Sequence, residues 1–185
     1  MNIFTRKLVA TAAAVVAGAL AVSVAAAALQ PSGGDGAGVS AAIRATAKYK
    51  SASVATRAGY RLLRDKDGIA CIAMDDMPEM GAMGVHFVKN TLVADPAIAA
   101  GSPEALVYAP AAGGNLKLAA VEYVVLQTAW DAKHASAPRL FGQSFALTPD
   151  GNRFGLPAFY SLHAWLWKPN PSGMFSMWNP NVKCR

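Results

Sequence analysis

With 185 residues, a formal charge of +6 and 54% hydrophobic residues, the chain can build one compact domain with a core, and is short for two once a leader is set aside. The sequence holds no G-x-S-x-G elbow, no phosphate-cradling glycine loop and no dinucleotide fingerprint, which removes the commonest hydrolase and nucleotide-binding classes. Its basic residues are densest from Arg44 to Lys66, at spacings that suit a solvated helix face, so no nucleic-acid partner is expected.

The N-terminus places Arg6 and Lys7 ahead of an apolar run from Leu8 to Leu20, followed by small residues at Ala26, Ala27 and Ala28. That pattern is a secretory signal peptide over residues 1–28; an uncleaved anchor is the competing reading, because the run approaches the length of a membrane span. Cleavage leaves a chain of about +4, secreted or periplasmic, with no stable membrane insertion. Residues 29–39, rich in glycine, read as a flexible leader, and Ser40 as the N-cap of the first helix of a domain over residues 40–185. Only Cys71 and Cys184 remain in the exported chain, and an even pair in an oxidising compartment is most simply a disulfide. Cys71 as a metal ligand is the rival reading.

Ser51 or Ser53 can start a second helical piece that Gly59 ends. After the turn RDKDG comes GIACIAMDDMPEMGAMGVHFV, in which Met74, Met77, Met80 and Met83 recur every third residue and the same step lands on His86. Thioethers ending on an imidazole suit copper(I). Pro78, Gly81 and Gly84 interrupt the run, so a regular helix is not expected to align the sulfurs. Glu104 to Ala109 and Leu116 to Leu126 flank a Pro/Gly connector and read as a hairpin; alternation places Glu122 with Leu116, Leu118 and Ala120 on an apolar face, where an ionised carboxylate needs a partner. His134 falls in a polar excursion and reads as exposed, whereas FYSLHAWLWK reads as a strand buried on both faces, with Ser161, His163, Trp165 and Trp167 on one side. The proline-rich tail reads as an irregular strap.

The fold expected is α+β: an N-terminal helix or helical hairpin packed on a mostly antiparallel β-sheet, either open or curled toward a barrel. His86, Glu122 and His163, with Glu104 as a fourth, are polar residues at strand positions where burial is expected, and two imidazoles with carboxylate suit a divalent metal or copper. The competing readings are a His/Glu network that braces a small-ligand or envelope-partner binding module, and acid–base catalysis by a Glu and His pair. Whether the chain is an enzyme, and its oligomeric state, are left open by the sequence.

The blocks GAMGVHFV, PEALVY, LAAVEYVV, RLFGQSF and LHAWLWKPNPSGMFSMWNPNVKC, after the helix ending RAGY, resemble a family of exported bacterial proteins of unknown function. The resemblance runs from Ala41 to Cys184. It implies that Met83, His86, Glu104, Glu122, His163 and Cys184 lie within family motifs, while Met74, Met77 and Met80 lie outside them.

Overall fold

The computed structural model describes residues 33–74 and 76–184. The segment read from the sequence as a signal peptide and the first residues of the expected leader lie outside that range. The chain begins with α1 (Gly33–Thr46), a 3-10 turn at Ala47–Lys50 and α2 (Ala52–Arg57), forming a bent helical arm. The leader therefore does not extend to residue 39, and Ser40 lies inside a helix rather than at its cap. Glycine disfavours helix by about 1 kcal/mol per residue, but packing overrides propensity here. Ala42 and Thr46 are fully buried, and a Cβ at Gly38 would sit 3.1 Å from the Phe141 ring. The Thr46 hydroxyl donates to the Ala42 carbonyl at 2.7 Å, and so satisfies itself inside the packed face. Ser51 stands at the N-cap of α2, where its carbonyl accepts from the Val54 and Ala55 N–H groups while its hydroxyl pairs with Ser53 rather than capping the helix, and Gly59 ends the arm at φ +96° as its position suggested.

The sheet is antiparallel throughout, with seven strands: β1 (Arg61–Leu62), β2 (Cys71–Ala73), β3 (Ala82–Val88), β4 (Ala105–Pro110), β5 (Leu116–Leu126), β8 (Ala146–Thr148) and β9 (Phe159–Ala164). Their order is β1-β3-β4-β5-β9-β8, with β2 also paired to β3, and the ends do not meet, so the sheet stays open rather than closing into a barrel. A separate two-stranded ribbon, β6 (Arg139–Leu140) and β7 (Gln143–Ser144), two short helices, α3 (Asn90–Val93) and α4 (Gln127–Asp131), and 3-10 turns at Pro78–Met80 and Ala112–Gly114 complete the described elements. Among the described residues no helix is long and apolar enough to cross a membrane.

One face of the sheet carries the larger core: Tyr60, Leu106, Tyr108, Val121, Tyr123 and Leu162 pack with Ala42 and Ala55 of the helical arm. Each apolar side chain so buried contributes about 1.5–3 kcal/mol. The phenols that would be stranded there reach backbone carbonyls, Tyr60 to Pro103, Tyr108 to Tyr49 and Tyr123 to Ala100. The opposite face holds a smaller cluster of Ala82, Val107, Ala120, Trp165 and Val182 under the C-terminal strap. Cys71 and Cys184 form the expected disulfide, so Cys71 is not a thiolate ligand. The bond closes a loop of sequence separation 113, for which chain entropy alone gives about 4–5 kcal/mol.

Two bulges set which residues face which way. Between β4 and β5 the register passes from Val107↔Ala120 to Tyr108↔Leu118, leaving Ala119 as the extra residue. Simple alternation placed Leu118 with Glu122; the bulge reverses the phase, so Leu118 joins Val121 and Tyr123 in the larger core and Glu122 points to the other face. Between β2 and β3 the pairing steps from Ile72↔Gly84 to Ala73↔Ala82, with Met83 as the extra residue. Gly84 makes this possible: its φ is +106°, and a Cβ would lie 2.6 Å from the Tyr108 carbonyl oxygen. The strap crosses at Gly81, where a Cβ would meet the Asn179 carbonyl oxygen at 2.1 Å.

Candidate metal centre

His86 lies on β3, Glu122 on β5 and His163 on β9. Glu122 and His163 are direct cross-strand partners, so their side chains leave the sheet on one face. His86 is two strands from Glu122, with β4 between them. It pairs with Val107, while Glu122 pairs with Ala105. Strands stand about 4.8 Å apart, so the two side chains bridge roughly twice that distance over β4. The small Ala105, 1% exposed, is the β4 residue beside Glu122 over which they pass.

The three groups converge. His86 Nε2 is 3.3 Å from His163 Nε2 and 3.5 Å from Glu122 Oε2, and His163 Nδ1 is 3.4 Å from Glu122 Oε1. One donor atom from each lies within 4.8 Å of the other two, and together they could hold a metal ion. The two shortest contacts of His163 use different ring nitrogens, so with one donor atom per residue the set spreads to within 4.8 Å, and the side chains must close inward to reach the roughly 3.3–3.4 Å that separates tetrahedral ligands about 2.0–2.1 Å from zinc. The imidazole planes are nearly perpendicular, at 88°, and the His163 ring lies almost parallel to Trp165, which limits its rotation.

Both histidines are 2% exposed, while the Glu122 side chain retains 12%. Burial pulls His86 down to about 4; nearby Glu122 opposes that fall and His163 adds to it. Burial likewise pulls His163 down to about 4. Glu122 is pushed above the ordinary carboxylate range by burial, against the opposing effects of His86 and the Ser161 hydroxyl. At neutral pH the imidazoles are therefore neutral and their lone pairs available, so their contacts with Glu122 are not ion pairs. His86 Nδ1 and His163 Nδ1 are buried without hydrogen-bond partners. Buried polar atoms are normally paired, and a cation taken at His163 Nδ1, beside Glu122 Oε1, would partner one of them.

Glu122 forms part of the lining of a cleft of about 420 Å³. Phe154, Phe159, Trp178, Met74, Met83 and Met177 supply apolar walls, and Ser161 lies nearby. A smaller cavity of about 90 Å³, lined by His86, Glu122, Val88, Val124 and Phe159, also borders the cluster.

The structure separates the other expected site residues. Glu104, just ahead of β4, does not join the cluster: its Oε2 accepts the Val124 backbone N–H at 3.0 Å. Burial raises it to about 7; burial is likewise the main cause that lifts the Tyr60 and Tyr123 phenols above their ordinary range, and the Glu104 carboxylate adds to it. The methionine series divides. Met77 and Met80 are 43% and 37% exposed around the turn Pro78–Met80, while Met74 and Met83 line the cleft. His134 is exposed as expected and stacks on Trp130. Sequence reasoning did not include Met177, Phe154 or Asn152 in a site, because each arrives from an irregular segment. Ser161 was legible as a residue on the His163 face of its strand.

Comparison of the chain with protein-family models, curated proteins and solved structures finds no match.

Proposed function

We propose that this is an exported metal-binding protein holding one transition-metal ion with His86, Glu122 and His163. The observation that carries the reading is the convergence of two neutral imidazoles and one carboxylate, from three strands, within 4.8 Å. Zinc, iron, manganese and copper(II) suit nitrogen and oxygen donors, and three protein ligands leave a position for water or a small ligand. A bound divalent ion supplies Lewis acidity and favours ionisation of Glu122. The disulfide fits an oxidising compartment and the exported reading. The methionines at the cleft belong to its walls, and their role as ligands is not needed for the site.

The test is a zinc titration of metal-stripped protein, with His163→Asn and Glu122→Gln in parallel. Wild type is expected to bind one equivalent and gain thermal stability. Both variants should lose at least tenfold in affinity while keeping the native circular dichroism spectrum. Equal binding by all three proteins would overturn the assignment.

A second reading has one observation in its favour: the 3.3 Å His86–His163 contact is a hydrogen bond in its own right. The cluster would then only brace an apolar ligand pocket. In that case His163→Asn lowers stability, and added zinc shifts neither protein.

A further inference from the structure

The charge of the proposed centre and the chemistry of the cleft beside it are complementary to one kind of ligand. Two neutral imidazoles and one carboxylate leave a divalent ion with one uncompensated positive charge. Histidines only 2% exposed provide little water to screen it. A buried net charge favours a counter-ion. Glu122 is the member of the metal-binding cluster that lines the larger cleft, and its side chain is 12% exposed; with His86 it also lines the smaller cavity.

Of the polar side chains of the cleft wall, Arg153 and Asn152 are engaged already, while the Asp76 carboxylate is exposed and Thr148 also lines the wall. Arg153 donates through Nε and Nη2 to Asp65 at 3.0 and 2.6 Å, and through Nη1 to the Ala73 carbonyl. Asn152 donates to the Pro149 and Leu156 carbonyls and accepts from the Phe154 and Leu156 backbone amides. These contacts hold the loop in place, and thioethers and aromatic rings make up the apolar part of the wall together with Ile72 and Ala73. The bulge at Met83, fixed by Gly84, places a flexible sulfur side chain in this wall, and Met74 and Met177 add two more. Methionine adapts to apolar ligands of varied shape. A volume of about 420 Å³ falls in the range of small-molecule sites.

We infer that the cleft binds a small amphiphilic acid, with its carboxylate on the metal and its aliphatic body against Met74, Met83, Met177 and Trp178. The inference rests on the metal-binding reading and adds the ligand's class to it. Ordering is by charge at the floor and by apolar area along the walls, so affinity should depend on both.

The experiment uses the metal-stripped protein reloaded with cobalt(II), whose visible absorption reports its coordination. Cobalt uptake is read first; acetate, butanoate, hexanoate and hexylammonium are then titrated separately. The carboxylates should perturb the cobalt bands, with affinity rising by up to about fourfold per buried methylene. Hexylammonium should leave the bands unchanged. Met177→Asp, on the half-buried strap, should bind cobalt as wild type does and hexanoate at least tenfold more weakly. Cobalt binding with acetate and hexanoate equal in affinity, or with neither perturbing the bands, overturns the cleft assignment and leaves the metal reading standing. Failure to take up cobalt at all overturns both.

Discussion

Glu104 and Glu122 are two buried carboxylates in neighbouring segments of one antiparallel sheet, and their surroundings differ in kind. Glu104, 1% exposed, accepts a backbone N–H and lies near the phenols of a core sealed by the helical arm. Glu122 meets two imidazoles and opens on a cleft. The first has its partner within the fold. The second is placed among donor atoms whose combined geometry suits an ion. Burial of a carboxylate is thus not itself a sign of function; what distinguishes the two is whether lone pairs converge on a space that an added group can enter.

The largest separation of the two faces should come from Tyr123→Ala. It removes a ring from the helix-covered core and is expected to cost about 3–5 kcal/mol in urea unfolding. Zinc affinity in the fraction that remains folded should change little, since Tyr123 lies on the opposite face. A joint loss of stability and affinity would break the separation.

Glu104→Gln tests the closed carboxylate. The folded-state value of about 7 lies above the ordinary 4.5, so the folded protein keeps a proton that the unfolded chain releases between these values. This group favours folding fully below about pH 4.5 and loses that contribution as the pH rises to 7, a change on the order of 3 kcal/mol. The buried histidines act in the opposite sense over much of the same range, because their folded-state values lie below the ordinary 6.5. The quantity to measure is therefore the difference between wild type and variant in chemical denaturation at several pH values. It should grow from pH 4.5 to 7 in favour of the variant; a constant difference would show that Glu104 titrates in the folded protein as it does in the unfolded chain.

The open carboxylate is tested by zinc. At a free concentration about a hundred times the dissociation constant, wild type should gain about 2.7 kcal/mol in stability and Glu122→Gln far less. Acidification from neutral pH should remove the gain as Glu122, whose pKa burial raises, takes up a proton in competition with zinc. Thermal shifts at falling pH would show it. The smallest effect is expected of Met77→Leu with Met80→Leu. Both side chains are exposed, so stability should stay within about 0.5 kcal/mol and metal content should not change.

Much of the frame was legible in the sequence. The α+β class, the hairpin of β4 and β5, the strand carrying His163 and the Cys71–Cys184 bond follow from alternation, a Pro/Gly connector and an even cysteine count. The alignment of Leu118 with Glu122 was not, because the extra residue at Ala119 reverses the phase that alternation assumes. The partner that the Glu122 carboxylate needed is supplied, as the grouping with His86 and His163 anticipated, by the two imidazoles. The helix from Gly33 was hidden by its glycines, since what holds it is contact with the rest of the fold. The methionine spacing suggested one row of sulfurs; Pro78 and Gly81 turn the chain, and only part of the row reaches the cleft.

The most direct measurement is elemental analysis of the protein purified without chelators from metal-replete culture, beside Glu122→Gln purified in the same way. The account predicts about one equivalent of a single transition metal per wild-type chain, and a small fraction of that in the variant. Metal-free, correctly folded wild type that also takes up no zinc or cobalt would contradict it.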